Sequence, residues 1–255
     1  MIRKLIGVIV LVITVLVLSA STASASHAWG NYHWARTGNP FNLKLGDNVS
    51  SAWDSYLATT SNDWSVSSVL DTTIVPGQSK GNCRPTAGRV EVCNKTYGNN
   101  GWLGMAQIWV SGSHITQGVV KANDTYFNTP TYNKTEWKNL VMCQEVGHTF
   151  GLDHQDEIFD NPNLGTCMDY TNSPLGPPSN EHPNEHDYNQ LELIYAHLDS
   201  LTTVGQTLSK GQGLEVDLDN PGQWGRQVKG QGRVAVYERD FGGGHKVFTF
   251  VIWAD

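Results

Sequence analysis

The sequence predicts an α+β domain that ends in a small β-rich extension. Two observations carry this. From Phe41 to Asp199, apolar residues alternate in some segments and recur every three or four residues in others, giving strand, helix, strands, long helix, loop, helix. From Leu201 onward the chain turns Gly-rich and keeps only the alternating pattern. The division that follows is residues 1–25 as signal peptide, 26–200 as the main domain and 201–255 as the extension.

Phe41, Leu43 and Leu45 alternate with polar residues and predict a first strand. Asp47 and Asn48 offer an N-cap for a helix carrying Val49, Trp53 and Leu57 and ending near Thr60. Val69 to Val75 reads as a second strand, and Val90 and Val92 mark a short third. Trp102 to Val120, broken at Gly112, reads as two strands, one of them at a sheet edge. Trp137, Leu140, Val141, Gln144 and His148 share one helical stripe, with Thr135 as cap and Gly151 as stop. A loop rich in Asn, Pro and Gly runs from Asp160 to Asn184, and Asp187 caps a last helix with Leu191, Ile194, Tyr195 and Leu198. In the extension, Val234, Val236 and Tyr237, then Val247, Phe248, Phe250, Val251 and Trp253, predict a hairpin or small β module turning at Asp240 to Gly244.

Arg3 and Lys4 precede an apolar run from Leu5 to Leu18, and Ala23-Ser24-Ala25 fits a cleavage site. The run is short for a spanning helix, which needs about 20 residues. Secretion, with no membrane contact after cleavage, is therefore favoured over an uncleaved anchor. Net charge is −7, and Lys and Arg form no cluster, which argues against nucleic acid as a partner. An even set of four cysteines in a secreted chain predicts two disulfides, Cys83 with Cys93 and Cys143 with Cys167.

Residues 144–154 read Gln-Glu-Val-Gly-His-Thr-Phe-Gly-Leu-Asp-His. Residues at i and i+4 of a helix share a face, so Gln144 and His148 can grip one ion. Gly151 permits a positive φ and a sharp turn that returns His154 as a third ligand. Glu145 stands beside this set, where a carboxylate can act as general base on an ion-bound water. The pattern is H-E-x-x-H-x-x-G-x-x-H with Gln in the first position. An ordinary helix end whose histidines merely cap it is the plainer account, and it also requires the following Met168-Asp169-Tyr170 to be coincidence.

With these residues the chain resembles the metzincin clan of zinc endopeptidases, and most of all the matrixin branch. The resemblance spans about Phe41 to Asp199. It implies a twisted mixed sheet, a first helix, an active-site helix, a Met-turn at Met168 and a C-terminal helix. It further implies one catalytic zinc ion and a peptide or protein substrate laid along an edge strand within Ala106–Ser113. Tyr170, two residues after Met168, resembles the tyrosine that stabilises the oxyanion in astacin- and serralysin-like members; a buried structural tyrosine is the alternative. The short stretch before Phe41 and the Asn-Cys-Arg-Pro around Cys83 match no cysteine-switch propeptide.

Gln144 leaves three readings. Its amide oxygen ligates zinc more weakly than imidazole would. Or another group replaces it, with Asp153, His182 and His186 as candidates. Or the site is inactive and the fold binds a partner without turnover. Asn48, Asn94, Asn123 and Asn133 begin glycosylation triplets. Asp153, Asp156, Glu157 and Asp160 could hold calcium but lack EF-hand spacing. Trp224 and Trp253 suit packing better than carbohydrate stacking. Nothing in the sequence indicates an oligomer, and a monomer is expected.

Overall fold

The computed structural model describes residues 26–79, 81–207, 219–230 and 232–254. The expected signal peptide lies outside them. The protein is a mixed α/β structure built on one mixed sheet with few helices. Among the described residues, no helix is long and apolar enough to cross a membrane.

Strands β1 (His33–Trp34), β2 (Phe41–Asn48), β3 (Leu70–Pro76), β4 (Val90–Lys95), β5 (Trp102–Ser111) and β6 (His114–Asn123) form one part of the sheet. The tail adds β7 (Arg226–Lys229), β8 (Val234–Gly242) and β9 (His245–Trp253). The order is β3-β2-β4-β6-β5-β9-β8-β7, with β1 paired to the start of β6. Strands β2, β3, β4 and β6 are parallel, and β5 and the tail strands run antiparallel to their neighbours.

The expected edge strand is a correction. Ala106 pairs with Val120 on one side and with Phe250 on the other. Strand β9 follows β5 from Trp102 to Ser111, so the backbone groups an incoming strand would use are already taken. Tail residues of strong β character complete the sheet of the main domain.

The described residues contain four α-helices: α1 (Asp54–Trp64), α2 (Asp124–Phe127), α3 (Thr135–His148) and α4 (Glu185–Ile194). Helix α1 starts later than expected. Asn48 donates to Glu91 Oε2 at 2.6 Å, and Asp47 Oδ1 accepts from Val49 N. These contacts use the polar pair in the strand and the turn after it, and Trp53 becomes the N-cap. Helix α3 has Lys134 as N-cap, not Thr135. Asp187 works from the third position of a capping box whose N-cap is Asn184.

Helix α3 packs across β5 and β6 and against α1. Trp64 on α1 donates its indole N–H to Cys143 O at 3.1 Å. Both cysteine pairs are bonded, Cys83 to Cys93 and Cys143 to Cys167. The second staples the middle of α3 to the segment that carries Met168.

Candidate metal centre

From Leu140 to His148, every side chain of α3 is buried. The helix therefore delivers Gln144, Glu145 and His148 into the interior rather than to an open surface. The chain leaves it through Gly151, whose φ is 93°. A Cβ there would lie 2.2 Å from Tyr32 O, so only glycine fits the turn.

That turn brings His154 back against His148. Their Nε2 atoms are 3.2 Å apart. His148 Nδ1 lies 2.9 Å from Leu152 O. A carbonyl only accepts, so Nδ1 carries the proton and Nε2 presents its lone pair. Burial, then the neighbouring His154, hold the His148 pKa well below the usual histidine value, which keeps the ring in its ligating form. His154 Nδ1 faces Glu157 Oε1 at 3.5 Å, which leaves its Nε2 toward His148. Two imidazole nitrogens at this distance hold a proton or a cation between them. Nitrogens bound tetrahedrally at about 2.0–2.1 Å would stand about 3.3 Å apart.

Gln144 Nε2 donates to Cys167 O at 2.7 Å. Its Oε1 is buried and has no partner. Both carboxyl oxygens of Glu145 are likewise buried without partners, and burial pushes that pKa well above the usual carboxylate range. Orphaned buried acceptors are costly. Two facing imidazole nitrogens, an orphaned amide oxygen and an unpartnered carboxyl are donor types that suit a divalent cation.

Met168 is fully buried beneath the helix. A Cβ on Gly147 would lie 2.7 Å from Met168 Sδ and 2.8 Å from Trp64 Cζ2, so glycine sets how closely the three elements pack. Tyr170 is buried, its ring 6.5 Å from His154 and 4.9 Å from Phe159. Burial raises its pKa, so the hydroxyl stays a donor.

The proposed replacement ligands are otherwise engaged. Asp153 Oδ2 pairs with Lys229 at 2.6 Å. His182 pairs with Asp63 at 2.7 Å, and His186 stacks on His27. In the acidic loop, the positive charge beside Asp153 and Glu157 comes from Lys229, 2.9 Å from Glu157. His154 and Lys229 together hold the Glu157 carboxyl down to about 2. Of the glycosylation triplets, Asn123 is fully buried and N-caps α2. Trp224 is buried against Tyr237 and Trp253.

The tail covers this centre, which no local sequence pattern indicates. Phe250 of β9 lies flat on the His148 ring, with centroids 4.4 Å apart and planes 10° apart. Trp29 meets Phe248 and Phe250 edge-on. Gln144 and Glu145 are 0% exposed, His148 1% and His154 5%. The alternating apolar run around Phe250 marked a strand, but no local pattern names the strand that it joins.

Among the described residues, three groups of His and acidic side chains could hold a metal ion: Asp153 and Glu157 with His154 of this centre, His27 with His186 and Asp187, and His33 with His197 and Asp199. No protein-family model matches the chain, and no curated protein matches it.

Proposed function

We propose that the protein is a secreted zinc-dependent endopeptidase with a metzincin-like main domain. The observation that carries the proposal is the 3.2 Å approach of His148 Nε2 to His154 Nε2, together with the buried, unpartnered oxygens of Gln144 and Glu145 on the helix that bears His148. Gln144, His148 and His154 would hold the ion, Gln144 through Oε1. When bound, zinc supplies a Lewis acid that polarises a carbonyl and acidifies a water. Glu145 would take the proton from the attacking water and return it to the leaving amine. Burial raises its pKa, which makes it a stronger base toward that proton. The Tyr170 hydroxyl, kept protonated, would donate to the developing oxyanion.

A peptide that adds to β5 as a strand would need β9 to leave, because β9 holds that position. The same cover favours a second reading, in which a metzincin-like protein binds a partner without turnover.

The two readings separate in one experiment. Zinc content and casein cleavage are measured for the secreted full chain and for Glu145→Gln, Gln144→His and Phe250→Ala. The enzyme reading expects cleavage that rises in Phe250→Ala, rises in Gln144→His and disappears with Glu145→Gln. Zinc bound at this centre with no cleavage in any variant supports the binding reading. Equal cleavage by wild type and Glu145→Gln removes Glu145 from the mechanism.

A further inference from the structure

We propose that His33, His197 and Asp199, with His114 as the fourth side chain, form a second transition-metal site, of the zinc type. It shares no residue with the centre on α3 and does not depend on peptidase chemistry.

Three separate parts of the chain build it. Parallel pairing of β1 with β6 sets His33 directly opposite His114. His197 and Asp199 come from the turn after α4. Backbone bonds tie this segment to the residues just after β1: Asp199 N donates to Arg36 O at 2.9 Å, and Thr203 N donates to Ala35 O at 2.9 Å. His33 and His197 meet with Nε2 atoms 3.1 Å apart. Asp199 Oδ1 lies 3.5 Å from His33 Nε2, 3.3 Å from His114 Nε2 and 3.7 Å from His197 Nε2. These separations bracket the roughly 3.3 Å expected between neighbouring ligands of tetrahedral zinc.

The surroundings are those of a ligand set. His33 Nδ1 lies 2.8 Å from Asn31 O, which places its proton there and its lone pair on Nε2. Arg36 engages only the other carboxylate oxygen of Asp199, through Nη1 at 2.9 Å and its backbone N at 3.2 Å. Oδ1 is left aimed at the imidazoles. Arg36 in turn is fixed by the carbonyls of Tyr195 and His197. A lone pair on His33 therefore faces a carboxylate oxygen and a second imidazole, an arrangement that a cation resolves. The His33 side chain is buried while that of His197 is 54% exposed, so the site is anchored inside and open to an entering ion.

A metal here would bind the start of the domain, the start of β6 and the end of the last helix region to one another. Its role would be structural, because it ties three separate parts of the chain together.

The test uses cobalt and zinc on the full mature chain. In a Gln144→Ala/His148→Ala/His154→Ala variant, about one equivalent of zinc should remain and cobalt should give tetrahedral absorption bands. Adding His33→Ala/His197→Ala should abolish both. His197→Ala alone, at an exposed position, guards against misfolding and should weaken cobalt binding at least tenfold while circular dichroism is unchanged. Folded α3 variant that takes up no metal, or metal uptake unchanged by His33→Ala/His197→Ala, overturns the proposal. Loss of zinc from the α3 centre alone would sink the peptidase reading and leave this one standing.

Discussion

Gln144 donates its side-chain N–H to the carbonyl of Cys167, 2.7 Å away, and Cys167 is itself bonded to Cys143, the residue before Gln144. The contact settles which way the amide faces. Its nitrogen is committed to the carbonyl, and its oxygen is the atom left without a partner. The residue that departs from the zinc-protease pattern is thus held as an acceptor, on the same helical face as His148. Replacing Gln144 with Leu keeps the volume and removes the acceptor. Metal affinity of the α3 centre should fall about tenfold or more, by analogy with disturbed ligand shells. Gln144→His should raise it. Competition with a chromophoric chelator measures both, and equal affinity for wild type and Gln144→Leu would show that Oε1 is not a ligand.

The disulfide between Cys143 and Cys167 spans a sequence separation of 24. It fixes the carbonyl that orients Gln144 and the approach of Met168 to α3. Cys143→Ser/Cys167→Ser should cost about 2–5 kcal/mol of stability. It should also weaken metal binding at the α3 centre, whereas Cys83→Ser/Cys93→Ser should spare metal binding. Chemical denaturation with parallel zinc titration separates the two effects.

The parts of this arrangement that were legible in the sequence are local ones. The stripe from Trp137 to His148, the turn at Gly151 and the hairpin around Asp240 to Gly244 follow from spacing within a few residues. The disulfide partners followed because the four cysteines fall into two local couples. Strand partners are non-local. Ala106 and Phe250 pair across more than half the chain, and alternation says only that each lies in a strand. That is why an expected free edge turned out to be covered. The group of His33, His114, His197 and Asp199 was hidden for the same reason, since its members come together only when β1 pairs with β6 and the end of α4 folds back. Helix α1 was misplaced for a local reason, because the cap-like Asp47 and Asn48 are used in the strand and its turn.

The cover over the α3 centre rests on an aromatic contact and an ionic strap. Phe250→Ala removes the ring stacked on His148 and a fully buried side chain, at about 3–5 kcal/mol. Lys229→Glu replaces the cation between Asp153 and Glu157 with a third anion. Hydrogen exchange should accelerate along β7, β8 and β9 in both variants, with β2, β3 and β4 unchanged. Equal acceleration throughout the sheet would mean that the tail strands and the main domain open only as one unit.

Gly147 supplies the most local prediction. It sits one residue before His148, where α3, α1 and the Met168 segment meet. A methyl group there would fall 2.7 Å from Met168 Sδ and 2.8 Å from the Trp64 ring. Alanine normally favours a helix over glycine by about 1 kcal/mol. Here the contact with two fully buried side chains should dominate, because a packed core has little room to give. Overpacking of this kind costs about 1–3 kcal/mol, so Gly147→Ala should be net destabilising by up to about 2 kcal/mol. Gly147→Ala combined with Met168→Ala should recover part of that loss by vacating the space the methyl enters. Thermal melts of the two variants decide it. A stabilised Gly147→Ala protein would mean that Met168 and Trp64 yield easily, and that the floor of the α3 centre is softer than its burial suggests.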